Sequence, residues 1–374
     1  MNFLHVADLH IGKRVNEFSM LKDQEYVLNQ IVEMLEEKDC HGIFIAGDLY
    51  DKALPSAEAV ALLDDFLTKL ARTKKHIFII SGNHDSPERI AYAKELLKKQ
   101  NIYLSGTFSG QIDRVDLEDA YGTISVYMLP FVRPGQVKKY YPQAEIKSYQ
   151  DAVSHILEEA AIDKGVRNIL ITHQFVAGGS FCDSEEEYVG GLNGISPHIF
   201  DDFDYVALGH LHGSQKVARE TIRYSGSILK YSFSEKNHNK GLLKISFKEK
   251  GMVEIEKKEL QFLHDVREIK GSFQELMGEA YSEDYLRVVL TDERMPIDAI
   301  GSLRIRFPNI MQMALEKGYS SKIEEIPVGE SVEDKDFFAL FEDFYQMHSG
   351  GEPMGQKERE FLFDFWQKME KEGL

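Results

Sequence analysis

Short, apolar, β-rich runs alternate with segments of helical periodicity through the first two-thirds of this 374-residue chain. This alternation is typical of an α/β domain, in which helices connect the strands of a sheet. Beyond residue 240 the pattern changes to two runs of alternating apolar and polar residues, which predict a hairpin. The predicted helices cover residues 20–38, 56–72, 88–100 and 149–164, and the predicted strands cover residues 3–7, 43–46, 77–80, 124–129, 168–172, 205–208, 241–247, 252–260 and 285–290.

Polar residues of a restricted kind follow five of the predicted strands. In an α/β sheet, ligands bind beyond the carboxyl ends of the strands, so five such ends can deliver their side chains to one rim. A single histidine at a strand end is a weak signal, but the joint pattern is specific. The residues, in chain order, are Asp8, His10, Asp48, Asn83, His84, His173, His210 and His212.

These side chains predict a site for two metal ions. Carboxylate, carboxamide and imidazole donors together suit Mn, Fe or Zn, and there are more of them than one ion readily uses. A carboxylate can bridge two ions ~3.5 to 4 Å apart, and such a pair clamps the attacking and leaving oxygens of a phosphoryl displacement. Asp48 is the expected bridge. Gly47, Gly82 and Gly209 adjoin the ligands, where we expect tight turns that need permissive backbone angles.

Five motifs occur in the order DxH (8–10), GD (47–48), GNHD (82–85), a lone His173 and GHxH (209–212). Taken together they resemble the signature of the metallophosphoesterase superfamily. This resemblance is highly specific, because the five motifs fall at the ends of five predicted strands.

Longer segments are similar to the SbcD family, the nuclease subunits of bacterial SbcCD complexes, related to double-strand-break repair nucleases of archaea and eukaryotes. The resemblance implies an α/β fold: a metallophosphoesterase β-sandwich flanked by helices in four layers, a small α+β capping domain and a C-terminal helical pair. The implied boundaries are 1–262 for the nuclease domain, 263–330 for the DNA-contacting capping domain and 331–374 for the helical pair. The similar segments are 7–25, 47–56, 81–89, 190–217 and 222–235.

The resemblance also implies a role for each residue at the strand ends. One Mn²⁺ ion would be held by Asp8, His10, Asp48 and His212, and a second by Asp48, Asn83, His173 and His210, with Mg²⁺ as an alternative metal.

Two further residues are catalytic candidates. His84 would steady the phosphate or protonate the leaving 3′ oxygen. Asp51 stands where archaeal and eukaryotic relatives carry a second histidine after the GD motif. Its role is left open between catalysis and a hydrogen bond to a metal ligand.

For activity, the resemblance implies an ATP-dependent 3′ to 5′ double-strand exonuclease and a single-strand and hairpin endonuclease in DNA repair, recombination and replication. The chain has no GxxxxGK[ST] loop, so ATP would act through the SMC-like ATPase partner SbcC. Two aromatic helical faces in 331–374 predict helices that either pack on the body of this chain or offer a groove to a helix of another chain. The resemblance implies that SbcC binds there. A homodimer within a heterotetramer is the family expectation, with helix 56–72 as one candidate surface.

Charge is unevenly distributed along the chain. The net charge of −18 should repel DNA unless it is locally reversed. The tail 323–374 holds 14 acidic and 5 basic residues, whereas 285–322 holds 6 basic and 4 acidic residues. If 303–307 is a strand, Arg304 and Arg306 share one face and form a basic stripe, with Arg287 and Arg294 nearby.

Two other functions stay open. A two-metal phosphatase or phosphodiesterase acting on a smaller phosphoester would have the same metal site, and a catalytically dead scaffold would keep the same fold. The two cysteines and the lack of a long apolar run favour a cytoplasmic protein and exclude a disulfide framework. The resemblance implies that it associates with the nucleoid. His5, inside a predicted strand, is expected to be packed or hydrogen-bonded there.

Overall fold

The computed structural model describes residues 1–182, 194–316, 355 and 359. The helices are α1 (Leu21–Glu36), α2 (Ala57–Arg72), α3 (Pro87–Ile90), α4 (Lys94–Lys98), α5 (Pro134–Tyr140), α6 (Tyr149–Glu159), α7 (Phe273–Met277) and α8 (Ala299–Leu303). The strands are β1 (Asn2–Val6), β2 (Arg14–Val15), β3 (Phe18–Ser19), β4 (Gly42–Ala46), β5 (His76–Ile80), β6 (Ile102–Ser105), β7 (Asp113–Asp119), β8 (Gly122–Leu129), β9 (Arg167–His173), β10 (Tyr205–Gly209), β11 (Gln215–Val217), β12 (Arg219–Tyr224), β13 (Gly241–Phe247), β14 (Val253–Glu259), β15 (Val266–Gly271), β16 (Tyr285–Leu290) and β17 (Ile310–Leu315).

Two six-stranded sheets form the centre of the main domain. The first has the order β14-β13-β1-β4-β5-β6 and the second the order β11-β12-β10-β9-β8-β7. Strands β1, β4, β5 and β6 run parallel, as do β8, β9, β10 and β12. The predicted hairpin is confirmed, because β13 and β14 pair antiparallel from Gly241 to Phe247.

The two sheets pack face to face, and β1 shows how the sequence achieves this. Alternate residues of a strand point to opposite faces. Phe3 belongs to the apolar cluster between the sheets, with Phe44 and Tyr205, while Leu4 and Val6 belong to the cluster on the outer face. Both faces of the strand are therefore buried, as in sheets covered by helices.

Helices cover both outer faces of the sandwich. Residues of α1 and α2, such as Ile31 and Phe66, pack on the first sheet, and residues of α6, such as Val153 and Ile156, pack on the second. The resulting order of layers is helix, sheet, sheet, helix. The predicted four-layer α/β fold is confirmed.

A small subdomain (described residues 263–316) contains the parallel sheet β15-β16-β17 with α7 and α8. Hydrogen bonds and an ion pair connect it to the main domain, and we call these contacts the cap junction. Asp23, which is buried in α1, accepts hydrogen bonds of 2.8 Å from both Tyr285 Oη and His264 Nδ1. Lys230 pairs with Asp265 at 2.8 Å beside them.

The chain divides into two compact units, Met1–Lys317 and Gly318–Leu374. The proposed boundaries at 262 and 330 stay predictions. The predicted helical pair in 331–374 lies outside the described residues, as does the end of the predicted capping domain. Among the helices that the structure describes, none has the length and hydropathy needed to cross a bilayer.

Two predicted elements were wrong. The helix expected over 88–100 is interrupted between α3 and α4, where Ala93 has a left-handed backbone (φ +59°). The strand expected over 303–307 is the end of α8 followed by a turn. Leu303 and Phe307 are buried four residues apart, which fits a helical face as well as an alternating strand, and Ile305 is exposed. The proposed stripe of Arg304 and Arg306 on one strand face therefore does not exist.

Several elements had no predicted counterpart. Strands β6, β7, β12 and β15 and helix α5 were not expected. Strand β7 alternates charged and apolar residues at the edge of its sheet, so it lacks the apolar run by which the inner strands were recognised.

Candidate metal centre

The polar residues after the strands meet at one edge of the sandwich. Backbone bonds join the segments that follow β1 and β4: Asp8 N–H donates to the Gly47 carbonyl at 3.1 Å, and His10 N–H donates to the Asp48 carbonyl at 3.0 Å. From the second sheet, the His210 N–H donates to the Asp8 carboxylate at 3.0 Å. We call the seven predicted ligands at this edge the metal rim.

Neighbouring donor atoms of the metal rim lie about as far apart as two ligands of one metal ion. Ligands that bind one ion at ~2.1 Å and at right angles are separated by ~3 Å. His10 Nε2 lies 3.1 Å from His212 Nε2, and Asp48 Oδ2 lies 3.3 Å from His173 Nε2. Asn83 Oδ1 lies 3.0 Å from both His173 Nε2 and His210 Nδ1. The donor set therefore fits divalent ions.

Two overlapping groups of donors share Asp48. One contains His10, Asp48 and His84, and another contains Asp8, Asp48 and His173, with ligand atoms within 4.8 Å of one another in each case. Asp48 Oδ2 is 3.7 Å from His10 Nε2 as well as 3.3 Å from His173 Nε2. This central place suits a carboxylate that bridges two ions.

The metal rim is buried, apart from the half-buried Asn83, and its backbone is strained. The backbones of Asp8, His10, Asp48 and His210 all have positive φ, at +54°, +43°, +51° and +108°. L-residues rarely adopt such angles, and each such residue costs about 1–3 kcal/mol, which the surrounding structure must offset. Strain of this kind concentrates at functional sites.

Burial and charge shift the pKa values of the metal rim. Burial alone would raise the pKa of Asp48, but the charge and hydrogen bond of His173 hold it far below its usual range. Burial alone would lower the pKa of His173, but Asp48 raises it. Burial, reinforced by His173, lowers the pKa of His210 to about 3. The Asp48 carboxylate thus favours positive charge in its surroundings, as expected at a site that binds cations.

Asp85, the last residue of the GNHD motif, ties together two of the ligand segments. Its buried carboxylate accepts hydrogen bonds from the backbone N–H groups of Leu49 (3.1 Å), Tyr50 (3.0 Å) and Gly82 (2.9 Å). It therefore fixes the segment after β4 against the segment after β5. The residue is structural support for Asp48 and Asn83.

The three glycines serve different purposes. Gly47 has φ +88°, as expected for a turn that favours glycine. Gly82 and Gly209 do not have positive φ, so the expectation of permissive angles was wrong for them. A Cβ on Gly82 would clash with the Asp48 carboxylate, and one on Gly209 would clash with the Ala46 carbonyl. Close packing of the rim requires glycine at both positions.

His84 is held beside the metal rim by two hydrogen bonds. Its ring Nδ1 donates to the Asp51 carbonyl at 2.9 Å, and its backbone N–H donates to Asp48 Oδ1 at 2.9 Å. Its ring centroid lies 4.9 Å from that of His10. With Nδ1 committed to a carbonyl, Nε2 is the atom that can exchange a proton.

The Asp51 carboxylate binds Lys13 Nζ at 2.7 Å. It lies 3.9 Å from His10 Nδ1, which is beyond hydrogen-bond distance. Through its backbone carbonyl, Asp51 instead orients His84.

Other histidines behave as structural residues. The prediction for His5 is confirmed: its ring is fully buried and bonds Tyr205 Oη at 2.9 Å and the Leu208 carbonyl at 3.2 Å. Both partners lie in β10, so His5 connects the first sheet to the second just before His210.

Sequence reasoning missed two residues that support the rim. Gln24 in α1 accepts a hydrogen bond from Gly12 N–H at 3.0 Å and donates to the His10 carbonyl at 2.7 Å. Glu235 is buried against His212. Both reach the rim from outside the five motifs, and the signal for them was the similarity of segments 7–25 and 222–235 to the SbcD family.

The thiol of Cys182 lies within 4.8 Å of donor atoms of His212 and Glu235.

A family model described as "Calcineurin-like phosphoesterase" matches residues 1–214, and one described as "Type 5 capsule protein repressor C-terminal domain" matches residues 263–349. The first match makes the chain a metal-dependent phosphoesterase of the calcineurin-like class. A curated relative, the SbcD subunit of the nuclease SbcCD from Staphylococcus epidermidis, is 32% identical over 355 residues, 92% of this chain and 93% of that protein. Within that class, the chain belongs to the SbcD family, which confirms the resemblance.

Two solved structures are similar to part of the chain. A dimetal phosphatase from Danio rerio covers 70% of this chain and 98% of its own, with a TM-score of 0.40 and 10% identity. A 5′-nucleotidase precursor from Thermus thermophilus covers 70% of this chain and 54% of its own, with a TM-score of 0.38 and 12% identity.

Proposed function

We propose that this chain is the Mn²⁺-dependent DNA nuclease subunit of an SbcCD-type complex, with ATP-dependent 3′ to 5′ exonuclease and hairpin endonuclease activity. The observation that carries the proposal is the set of donors about 3 Å apart around the buried Asp48, in a chain of the SbcD family. DNA repair, recombination and replication are the processes in which such an activity is used, in the cytoplasm and at the nucleoid.

Two Mn²⁺ ions are the proposed cofactors, with Mg²⁺ as an alternative. Asp8, His10, Asp48 and His212 would hold the first ion. Asp48, Asn83, His173 and His210 would hold the second. When bound, the ions supply charge stabilisation to the phosphoryl group and a more acidic water.

His84 is the proposed catalytic residue. Its Nδ1 donates to the Asp51 carbonyl, so a proton for the leaving 3′ oxygen would come from Nε2 of the protonated ring. Asp51, through that carbonyl, aligns the ring. Positioned proton transfer of this kind contributes typically 10²- to 10⁴-fold to a rate.

DNA is proposed to approach across the small subdomain. Arg304 and Arg306 are exposed on the turn after α8, and Arg294 is exposed nearby. Arg287 is instead half-buried and lies 3.5 Å from the Glu268 carboxylate. The three exposed arginines are the better candidates for phosphate contacts, which depend on accessible cations.

SbcC is the proposed ATPase partner, and its proposed binding region is 331–374. That region lies outside the described residues, and the proposal depends on the aromatic faces in the sequence. ATP would act through SbcC alone.

A homodimer is proposed through α2 and the segment 87–104. In α2, Leu63 is part of the core, whereas Val60 is 44% exposed. Val60 and Tyr92, which is 81% exposed, line a groove of about 530 Å³ between the two elements. A V60D/Y92D variant should sediment as a monomer if a second copy occupies this groove. If the variant still sediments as a dimer, the interface lies elsewhere on the chain.

The decisive experiment is cleavage of an end-labelled hairpin duplex by the purified chain with Mn²⁺, alone and with SbcC and ATP. His84→Ala should lower cleavage about 10²- to 10⁴-fold while Mn²⁺ binding persists. His198→Ala, whose side chain is 85% exposed and lies outside the five motifs, is the matched control. If the wild type binds Mn²⁺ yet leaves DNA intact under all conditions, the DNA substrate is abandoned.

The alternative is a two-metal phosphatase or phosphodiesterase with a smaller substrate. Turnover of p-nitrophenyl phosphate far above that of bis-p-nitrophenyl phosphate and DNA would favour it.

A further inference from the structure

Glu235 has a buried carboxylate that contacts His212, a residue of the metal rim, on the side of its ring away from His10. It ends the short 3₁₀ turn Phe233–Glu235 and is 0% exposed. Its Oε1 lies 3.0 Å from Nδ1 of His212, while the other ring nitrogen of His212 lies 3.1 Å from His10 Nε2. The His212 ring therefore has a carboxylate on one side and the rim donors on the other.

Lys240 fixes this carboxylate in place. Lys240 is only 3% exposed, and its ammonium group pairs with Glu235 Oε2 and donates to Ser227 Oγ at 2.7 Å and to the His212 backbone carbonyl at 2.8 Å. These three acceptors match the three protons of an ammonium group. His212 is thus held twice, at its ring by Glu235 and at its backbone by Lys240.

The ring nitrogen that meets a carboxylate must carry the proton, because a carboxylate only accepts hydrogen bonds. Protonation at Nδ1 leaves the lone pair on Nε2, the nitrogen that faces the rim. His173 is held in the same way, since its Nδ1 donates to the Ala46 carbonyl at 2.8 Å. His10 Nδ1, by contrast, has no hydrogen-bond partner within the described part of the chain.

We propose that Glu235, anchored by Lys240, is a positioning residue that fixes the tautomer and ring orientation of His212 and so presents Nε2 to the first metal ion. The inference rests on the two-metal site of the proposed function. Carboxylates behind a metal-bound histidine act in this way, and their loss typically lowers metal affinity 10- to 100-fold.

Two variants test the proposal in the full chain. The double variant E235L/K240M replaces a buried ion pair by apolar side chains of similar size, a change that is often neutral for stability. It should retain the fold, lower Mn²⁺ affinity 10- to 100-fold at one of two sites, and leave the other site unchanged. E235Q keeps a carbonyl oxygen as acceptor and should lose less than tenfold.

Two readouts are independent of cleavage. Isothermal titration with Mn²⁺ gives the affinity of each site. In the metal-free protein, nitrogen-15 NMR of the imidazole groups reports the tautomer, with the His212 signal assigned from the spectrum of H212Q. The wild type should carry its proton on Nδ1, and E235L/K240M should show a mixture or the Nε2–H form.

The control is D119N, which breaks the pair of Asp119 with the buried Arg167 away from the rim. It should leave Mn²⁺ affinity at both sites unchanged. A folded E235L/K240M with wild-type affinities and an Nδ1–H ring would overturn the proposal, as would equal weakening in D119N. If the wild type binds no Mn²⁺, the proposed function fails, while the tautomer of His212 still decides the role of Glu235.

Discussion

The metal rim and the cap junction both depend on buried polar side chains, but they are built differently. In the rim, side chains from five strand ends converge, and four of the seven ligands have positive φ. At the cap junction, one carboxylate, that of Asp23, accepts from two partners in ordinary geometry. The rim is held from many directions, whereas the Asp23 carboxylate has two partners at the junction, where Val266 and Tyr285 also pack on the apolar core.

The difference shows where the molecule tolerates change. A strained site persists only when its surroundings hold it, so loss of one rim residue should affect binding more than folding. A junction with few polar contacts should loosen without disturbing the rim. Four substitutions test this contrast.

Asp48→Asn should have the largest effect. Because Asp48 is central to both donor groups, its loss should weaken Mn²⁺ at both sites by more than about 100-fold and remove cleavage. Titration with Mn²⁺ measures this, and Asp201→Asn, with a side chain 67% exposed, is the control. Retention of one tight site would show that Asp48 does not bridge.

Asp23→Asn should loosen the cap junction and spare the rim. The substitution removes the negative charge of a buried carboxylate that accepts two hydrogen bonds. This loss should lower the free energy of unfolding by about 1–3 kcal/mol. Urea denaturation measures the loss, and proteolysis within 263–316 should accelerate. Altered Mn²⁺ affinity would contradict the independence of the two regions.

His5→Gln should alter how stability depends on pH. Burial lowers the pKa of His5 to about 3, against about 6.5 unfolded. Below pH 6.5 the unfolded chain therefore binds a proton that the folded chain excludes, so stability falls with falling pH by about 1.4 kcal/mol per unit until about pH 3. Urea midpoints at pH 7.5, 6.5 and 5.5 should show a smaller decline in His5→Gln than in the wild type. Parallel declines would refute the assignment.

Arg306→Ala should have the smallest effect. Loss of one exposed cation should weaken DNA binding modestly for all sequences and reduce the salt slope by about 1. Binding measured at several salt concentrations gives the slope. An Arg287→Ala variant should change it less, since Arg287 is near Glu268. The reverse order would place the DNA on the other side of the small subdomain.

The rim was predictable because each ligand follows a strand that the apolar pattern reveals. The sequence places Asp8 and Asp48 after such strands, and parallel order brings the ends together. Gln24 and Glu235 were not predictable from spacing, since they enter from a helix and a 3₁₀ turn packed behind the rim.

The error over 303–307 has a different origin. Leu303 and Phe307 satisfy the spacing of a helix and of a strand alike, and tertiary packing decided between them. The edge strand β7 was missed because half-exposed positions carry little apolar signal.

Asp23 and Gln24 are neighbours in the first turn of α1. Asp23 accepts hydrogen bonds from Tyr285 and His264 of the small subdomain. Gln24 accepts a hydrogen bond from Gly12 N–H and donates one to the His10 carbonyl. Adjacent side chains of one helical turn therefore serve the small subdomain and the ligand-bearing segment separately, so either set of hydrogen bonds can be removed without the other.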